Sequence, residues 1–147
     1  MSNAFFGQFE LKLIPVEPVQ LGSLLLPPGA YVVFARADVE VLVPENVPDG
    51  VTPRVRCQLA CFGVTAVSEQ KCLRIPNPAG PVFEFGRATI MLNIAVSFPL
   101  LLIDGEPNPH PERPELCELL CSCDLGDACL ASNIVMSAIE VDRINPT

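Results

Sequence analysis

The chain has no tryptophan, one tyrosine and one histidine in 147 residues. So few aromatic side chains leave little to stack bases or sugars on. Lysine and arginine number nine against 17 aspartates and glutamates, and the formal net charge is −8. The basic residues are scattered, so a phosphate backbone finds no basic face and nucleic acid is not expected as a partner. No run approaches the ~20 uninterrupted apolar residues that cross a bilayer, so no membrane insertion is expected. The start, MSNAFFGQFELKL, lacks a basic region followed by a long apolar run, and no secretory signal is read there. Its Ser2-Asn3-Ala4 looks like an expression-tag remnant and is assigned no structural role.

Reaction centres are missing too. There is no G-x-S-x-G, P-loop or G-x-G-x-x-G. The lone histidine, His110, sits between Pro109 and Pro111 with nothing to orient its ring against a thiol. Asp38 and Glu40 share a strand face, but carboxylates on the wet side of a strand are ordinary. The chain reads as non-enzymatic and without a cofactor.

What the sequence holds instead is alternation. No window carries a 3.6-residue period flanked by caps, and no repeat is visible. Strand-like segments occupy 8–14, 21–26, 31–43, 54–62, 67–75, 82–98, 116–124 and 130–144; 21–26 is a short apolar run, 67–75 holds a short strand around Cys72, and 82–98 alternates from Ala88 onward. In the first, Phe9, Leu11 and Leu13 take one side, with Pro15 and Pro18 after it as suits an edge strand. Tyr31, Val33, Ala35, Ala37, Val39, Val41 and Val43 form one apolar face, opposed by Arg36, Asp38 and Glu40. Ala88, Ile90, Leu92, Ile94, Val96 and Phe98 form another, opposed by Thr89, Asn93 and Ser97. Segment 117–121 also fits one helical turn. The fold class read from this is all-β: a two-sheet antiparallel sandwich in one domain, with residues 1–20 as an N-terminal strand or arm.

The last strand, LASNIVMSAIEVDRI, is apolar on both sides. Ile134, Met136 and Ala138 lie on one, Val135, Ile139 and Val141 on the other. A strand with one wet face alternates apolar with polar. A central strand facing a second sheet on one side and another subunit on the other accounts for the pattern, and makes Val135, Ile139 and Val141 the expected subunit interface.

LPPGAYVVFARADV, VRCQLACFG, TIMLNIAVSF, a Cys-Asp turn and ASNIVMSAIEVDRI together resemble bacterial and phage members of the tumour-necrosis-factor/complement-globular-head jelly-roll superfamily, over residues 21–144. The resemblance implies a ten-stranded, two-sheet jelly roll, trimeric through its inner sheet and without catalytic residues. The chain departs from that pattern in its scarce aromatics and in a proline-rich segment at 104–115.

Seven cysteines invite three readings. Cys57, Cys61, Cys117, Cys121 and Cys123 fall on inward positions, as reduced core thiols would. Alternatively they form disulfides tying the Cys57/Cys61 strand to the Cys117/Cys121/Cys123 strand across the sandwich, with an odd thiol left over. The spacing Cys117-x3-Cys121-x-Cys123-x5-Cys129 also supplies four sulfurs for zinc, though without paired C-x2-C knuckles.

The expected function is a structural and interaction module: a homotrimer that decorates or caps a larger assembly such as a virion or tail particle. Its location is then a particle surface, or alternatively the cytoplasm. Its partners are copies of itself and protein neighbours. Asp104, Pro107, Pro109, His110, Pro111 and Arg113 form the expected docking loop, stiffened by its prolines. Two rivals stand beside this reading, a ligand- or receptor-recognition head of the same fold and a small cysteine-cluster metal-binding protein.

Overall fold

The computed structural model describes residues 3–48, 50–61, 63–75, 84–97, 102–103, 106–107 and 114–141. Each of the strand-like segments contains strand among its described residues. In chain order the strands are β1 (Ala4–Phe9), β2 (Lys12–Ile14), β3 (Val19–Leu26), β4 (Ala30–Val41), β5 (Arg54–Cys61), β6 (Val64–Lys71), β7 (Arg74–Ile75), β8 (Glu84–Phe85), β9 (Ala88–Ser97), β10 (Leu102–Ile103), β11 (Glu106–Pro107), β12 (Glu115–Cys123) and β13 (Cys129–Val141). Among the described residues one 3-10 turn, Pro44–Asn46, is the whole of the helical content. Residues 117–121 are strand.

The pairing is that of a long hairpin folded over on itself. β5 pairs with β6 at the tip, β4 with β9, β3 with β12, and β1 and β2 with β13, all antiparallel. Rolling the hairpin adds β13 against β4 and β12 against β5. Two sheets result, β1-β13-β4-β9 with β2 also on β13, and β3-β12-β5-β6. This connectivity is a jelly roll. The paired strands number five in one sheet and four in the other, while β7–β8 and β10–β11 are separate two-residue ladders.

The interior follows the predicted faces in β4 and β9. Tyr31, Val33, Ala35, Ala37 and Val39 meet Ile90, Leu92, Ile94 and Val96 in one core cluster. Tyr31, fully buried, donates its hydroxyl to the Pro27 carbonyl at 2.8 Å and sets its ring edge-on to Phe5. Burial, and secondarily Glu140, pushes the Tyr31 phenol above its usual range. Gly22 of β3 leaves room for the Phe9 ring, because an added Cβ would stand 2.6 Å from it.

Several expectations need correction. The 8–14 strand is two strands, and Leu11 and Leu13 are exposed whereas Ile14 is fully buried. β13 carries a bulge between Ser132 and Val135, and its edge partners break at the same level, so inward parity switches from Phe9 to Ile14. Asn3 and Ala4 belong to the fold: Ala4 pairs with Ile139, and the Asn3 carbonyl accepts from the Glu140 amide at 2.8 Å. Cys72 lies just beyond β6, its amide donating to the Pro53 carbonyl at 2.9 Å. Val43 is exposed past the end of β4.

The cysteines are corrected in their direction. β5 and β12 are neighbours in one sheet, so the bridges run along that sheet and not across the sandwich. Cys57 faces Cys121 and Cys61 faces Cys117, with Cα–Cα separations of 4.1 and 4.3 Å, and each pair is disulfide-bonded. Leu59 and Leu119 fill the rung between them. Like-parity residues on adjacent antiparallel strands meet at that distance in the closely approaching rungs. The zinc spacing is thereby divided, with two of its four sulfurs spent in disulfides.

The two bridges are nested, with separations of 56 and 64. Either one closes a long loop worth about 4 kcal/mol, while the second closes only the two short segments between them and adds on the order of 2–3 kcal/mol. Replacing Cys57 and Cys121 together by alanine is expected to cost about 2–3 kcal/mol, and adding Cys61→Ala and Cys117→Ala about 4 kcal/mol more. Urea unfolding of both variants measures this, and equal increments would contradict it.

Candidate assembly interface

The outer side of the β1-β13-β4-β9 sheet is assembled by register from four strands. One row across it reads Ala4, Ile139, Val32, Ala95. The next reads Phe6, Ser137, Phe34, Asn93, and the third Gln8, Val135, Arg36, Met91. Phe6 is 67% exposed, Met91 70%, Ile139 47% and Phe34 42%. A shallow depression between Phe34, Met91 and Val135 runs through the middle of these rows. Arg36 is the sole charged residue in the twelve positions.

The outer side of the other sheet differs. Leu25 and Leu116 are exposed there as one cross-strand pair, and Val67 is exposed apart from them, among Arg54, Arg56, Gln58, Glu69, Lys71 and Glu118. Arg54 and Glu69 form an ion pair at 2.9 Å. That is the solvated pattern of an ordinary sheet surface, and the apolar rows are not.

Where the apolar rows end, a polar cluster begins. The Asp38 carboxylate accepts hydrogen bonds from the Asn133 amide at 2.9 Å and the Thr89 hydroxyl at 3.0 Å, and pairs with Arg36 at 3.7 Å. Asn133 is the bulge residue, with φ 49°, a left-handed conformation that asparagine tolerates better than most. Glu40 pairs with Arg87 at 3.2 Å, so neighbouring Asp38 and Glu40 are each engaged by other groups.

The expected interface residues are thus brought together in part. Val135 and Ile139 lie in the apolar rows, and Val141 lies beyond them opposite Ala30. Ile134, Met136 and Ala138 are the core side of β13. Phe6, Val32, Phe34, Met91 and Ala95 were not singled out by the sequence reading. The signal was present, since Val32 and Phe34 share parity with Arg36, and Met91 and Ala95 with Asn93. Pro107 lies in β11. Asp104, Pro109, His110, Pro111 and Arg113, the rest of the expected docking loop, lie outside the described residues. Cys57, Cys61, Cys117 and Cys121 are the bridge cysteines, and Cys123 is a buried free thiol.

No family model matches the chain, and no curated protein matches it. Solved structures do, and those of infectious bursal disease virus are among them. With the viral particle of that virus the TM-score is 0.52 at 7% identity, over 95% of this chain and 31% of that one. The Gx strain gives 0.48 at 11% identity over 99% and 33%, and the VP2 subviral particle 0.41 at 8% over 98% and 38%. What is shared with the first of these is the fold. The chain spans 31%, 33% and 38% of the length of these three viral chains.

Asp38 supplies the test of how the bulge is held. The Asn133 amide foremost, then Thr89 and Arg36, keep its carboxyl below the usual range, against partial desolvation. A depressed folded-state pKa contributes stability above the ordinary carboxylate value, and that stability is lost as pH falls through the folded value. Asp38→Ala is expected to cost about 1 kcal/mol at neutral pH and to lose less stability than the unmodified chain between neutral and acid pH. Urea midpoints across that range check it, and parallel curves would remove Asp38 as the pin.

Proposed function

We propose that this chain is a non-enzymatic building block of a larger particle, a virion component by preference. It forms a homotrimer through the outer side of the β1-β13-β4-β9 sheet. The observation that carries this reading is the set of contiguous apolar rows containing Phe6, Phe34, Met91, Val135 and Ile139, set beside a second sheet whose outer side is charged. Exposed apolar patches of this kind mark association surfaces. Copies packed through one such face close on themselves and leave the charged sheets outward. The resemblance to trimeric jelly rolls and the fold shared with a viral-particle chain support the same reading.

Static light scattering at micromolar concentration tests the proposal, with a trimer as the expected species. A stable monomer with nothing larger would remove the argument. Ile139→Asp and Phe34→Glu separate assembly from folding, because both side chains are already solvent-accessible in the single chain. Each variant is expected to keep its β-type circular dichroism and to run as a monomer, since an unpaired charge enclosed in an interface costs several kcal/mol. Trimers that survive both substitutions would place the interface elsewhere.

A further inference from the structure

Three cysteines remain after the two ladder bridges, Cys72, Cys123 and Cys129, all buried. The fold gathers them at one end of the sandwich, between the sheets. Cys123 ends β12 in one sheet and Cys129 begins β13 in the other, so the turn between them carries the chain from sheet to sheet. Their sulfurs touch at 3.4 Å. Cys72 approaches from beyond β6, its sulfur 4.0 Å from the Val39 carbonyl of β4.

The turn that presents the Cys123–Cys129 pair is held on every side. The Cys123 amide donates to the Pro15 carbonyl at 2.9 Å, Asp124 to Arg54 at 3.1 Å, and Asp127 to Ile14 at 3.1 Å. Ala128 donates to Leu125 at 3.1 Å, and Leu42 to Ala128 at 3.0 Å. The Asp124 carboxylate accepts the Arg54 amide at 2.8 Å. Two sulfurs are therefore kept in contact by backbone that is already fixed, and a shift of little more than 1 Å brings contact to bonding distance.

We propose that Cys123 and Cys129 form a third disulfide under the conditions that form the two ladder bridges, stapling one sheet to the other, and that Cys72 is the chain's single free thiol. The oxidant is a low-molecular-weight disulfide of the glutathione class. The Cys123 thiolate attacks one of its sulfurs, releasing a small thiolate and leaving a mixed disulfide on Cys123. Cys129 then attacks the Cys123 sulfur and releases the second small thiolate. Two electrons pass from the cysteine pair to the oxidant, and the two thiol protons are taken up by the departing thiolates. Both sulfurs are sealed from solvent in the closed fold, so the exchange belongs to the stage of folding before the corner closes.

The experiment refolds the full chain in a mixture of reduced and oxidised glutathione, quenches with acid, then denatures and alkylates without reduction. Of seven cysteines, one is expected to be labelled, and peptide mapping is expected to find it at Cys72, with Cys123 linked to Cys129. Cys72→Ser, treated identically, is expected to give no label. Three labels, with Cys72, Cys123 and Cys129 all free, overturn the proposal, as does a chain that takes seven. One label on Cys123 with Cys72 linked to Cys129 overturns the pairing. Retention of all three thiols around a stoichiometric thiophilic metal ion overturns it also.

Discussion

One inserted residue in β13 decides which way that strand faces. Up to the bulge the inward residues are Cys129 and Ala131; after it they are Ile134, Met136 and Ala138. Side chains alternate with a period of two, so the insertion moves every later residue to the opposite face. Without it Val135 and Ile139 would point into the sandwich, and Met136 out of it. β13 lies between β1 and β2 on one side and β4 on the other, so its parity sets that of its neighbours. The break between β1 and β2 is the edge answering the same insertion.

The opposite sheet solves a different problem. A chain with one tyrosine and no tryptophan has few large rings to fill the space between sheets. Apart from Tyr31 and the partly buried Phe5, Phe9 and Phe85, its described interior is built from valine, leucine, isoleucine, alanine and sulfur. Cysteine suits this, since it packs as a small hydrophobe and can join two strands where they approach most closely. The bridges flank Leu59 and Leu119, so the β5–β12 rungs that are covalently tied are also fully buried.

Which parts of this were legible in the sequence follows from where each signal resides. The faces of β4, β5, β9 and β12 could be read directly, because their alternation is uninterrupted and intrinsic to each strand. The two-sided apolar character of β13 was legible too, because the strand's own residues carry it. The split of β1 from β2 was not, because its cause is a bulge in a strand more than a hundred residues away. The cysteine positions were legible as inward, but the sheet that holds both strands was not, since strand order is a property of the whole chain. Phe34 and Met91 were passed over because Arg36, Asp38 and Glu40 dominate one pattern and Thr89, Asn93 and Ser97 the other. Only the register that lines Phe34 up with Ser137 and Phe6 shows the row they form.

The bulge also gives the apolar rows an edge. Asn133, displaced by the insertion, turns its amide to Asp38, and with Thr89 and Arg36 it makes a polar border across β13, β4 and β9. On one side of that border lie Val135, Phe34 and Met91; on the other, Glu40 and Arg87. A uniformly apolar sheet would let a partner slide by one rung with little loss. A border of fixed charges penalises the shift, since sliding would bury Asp38 or Arg36 against carbon. In the proposed assembly, the residue that turns Val135 and Ile139 outward would therefore be the one that limits where a neighbour docks against them.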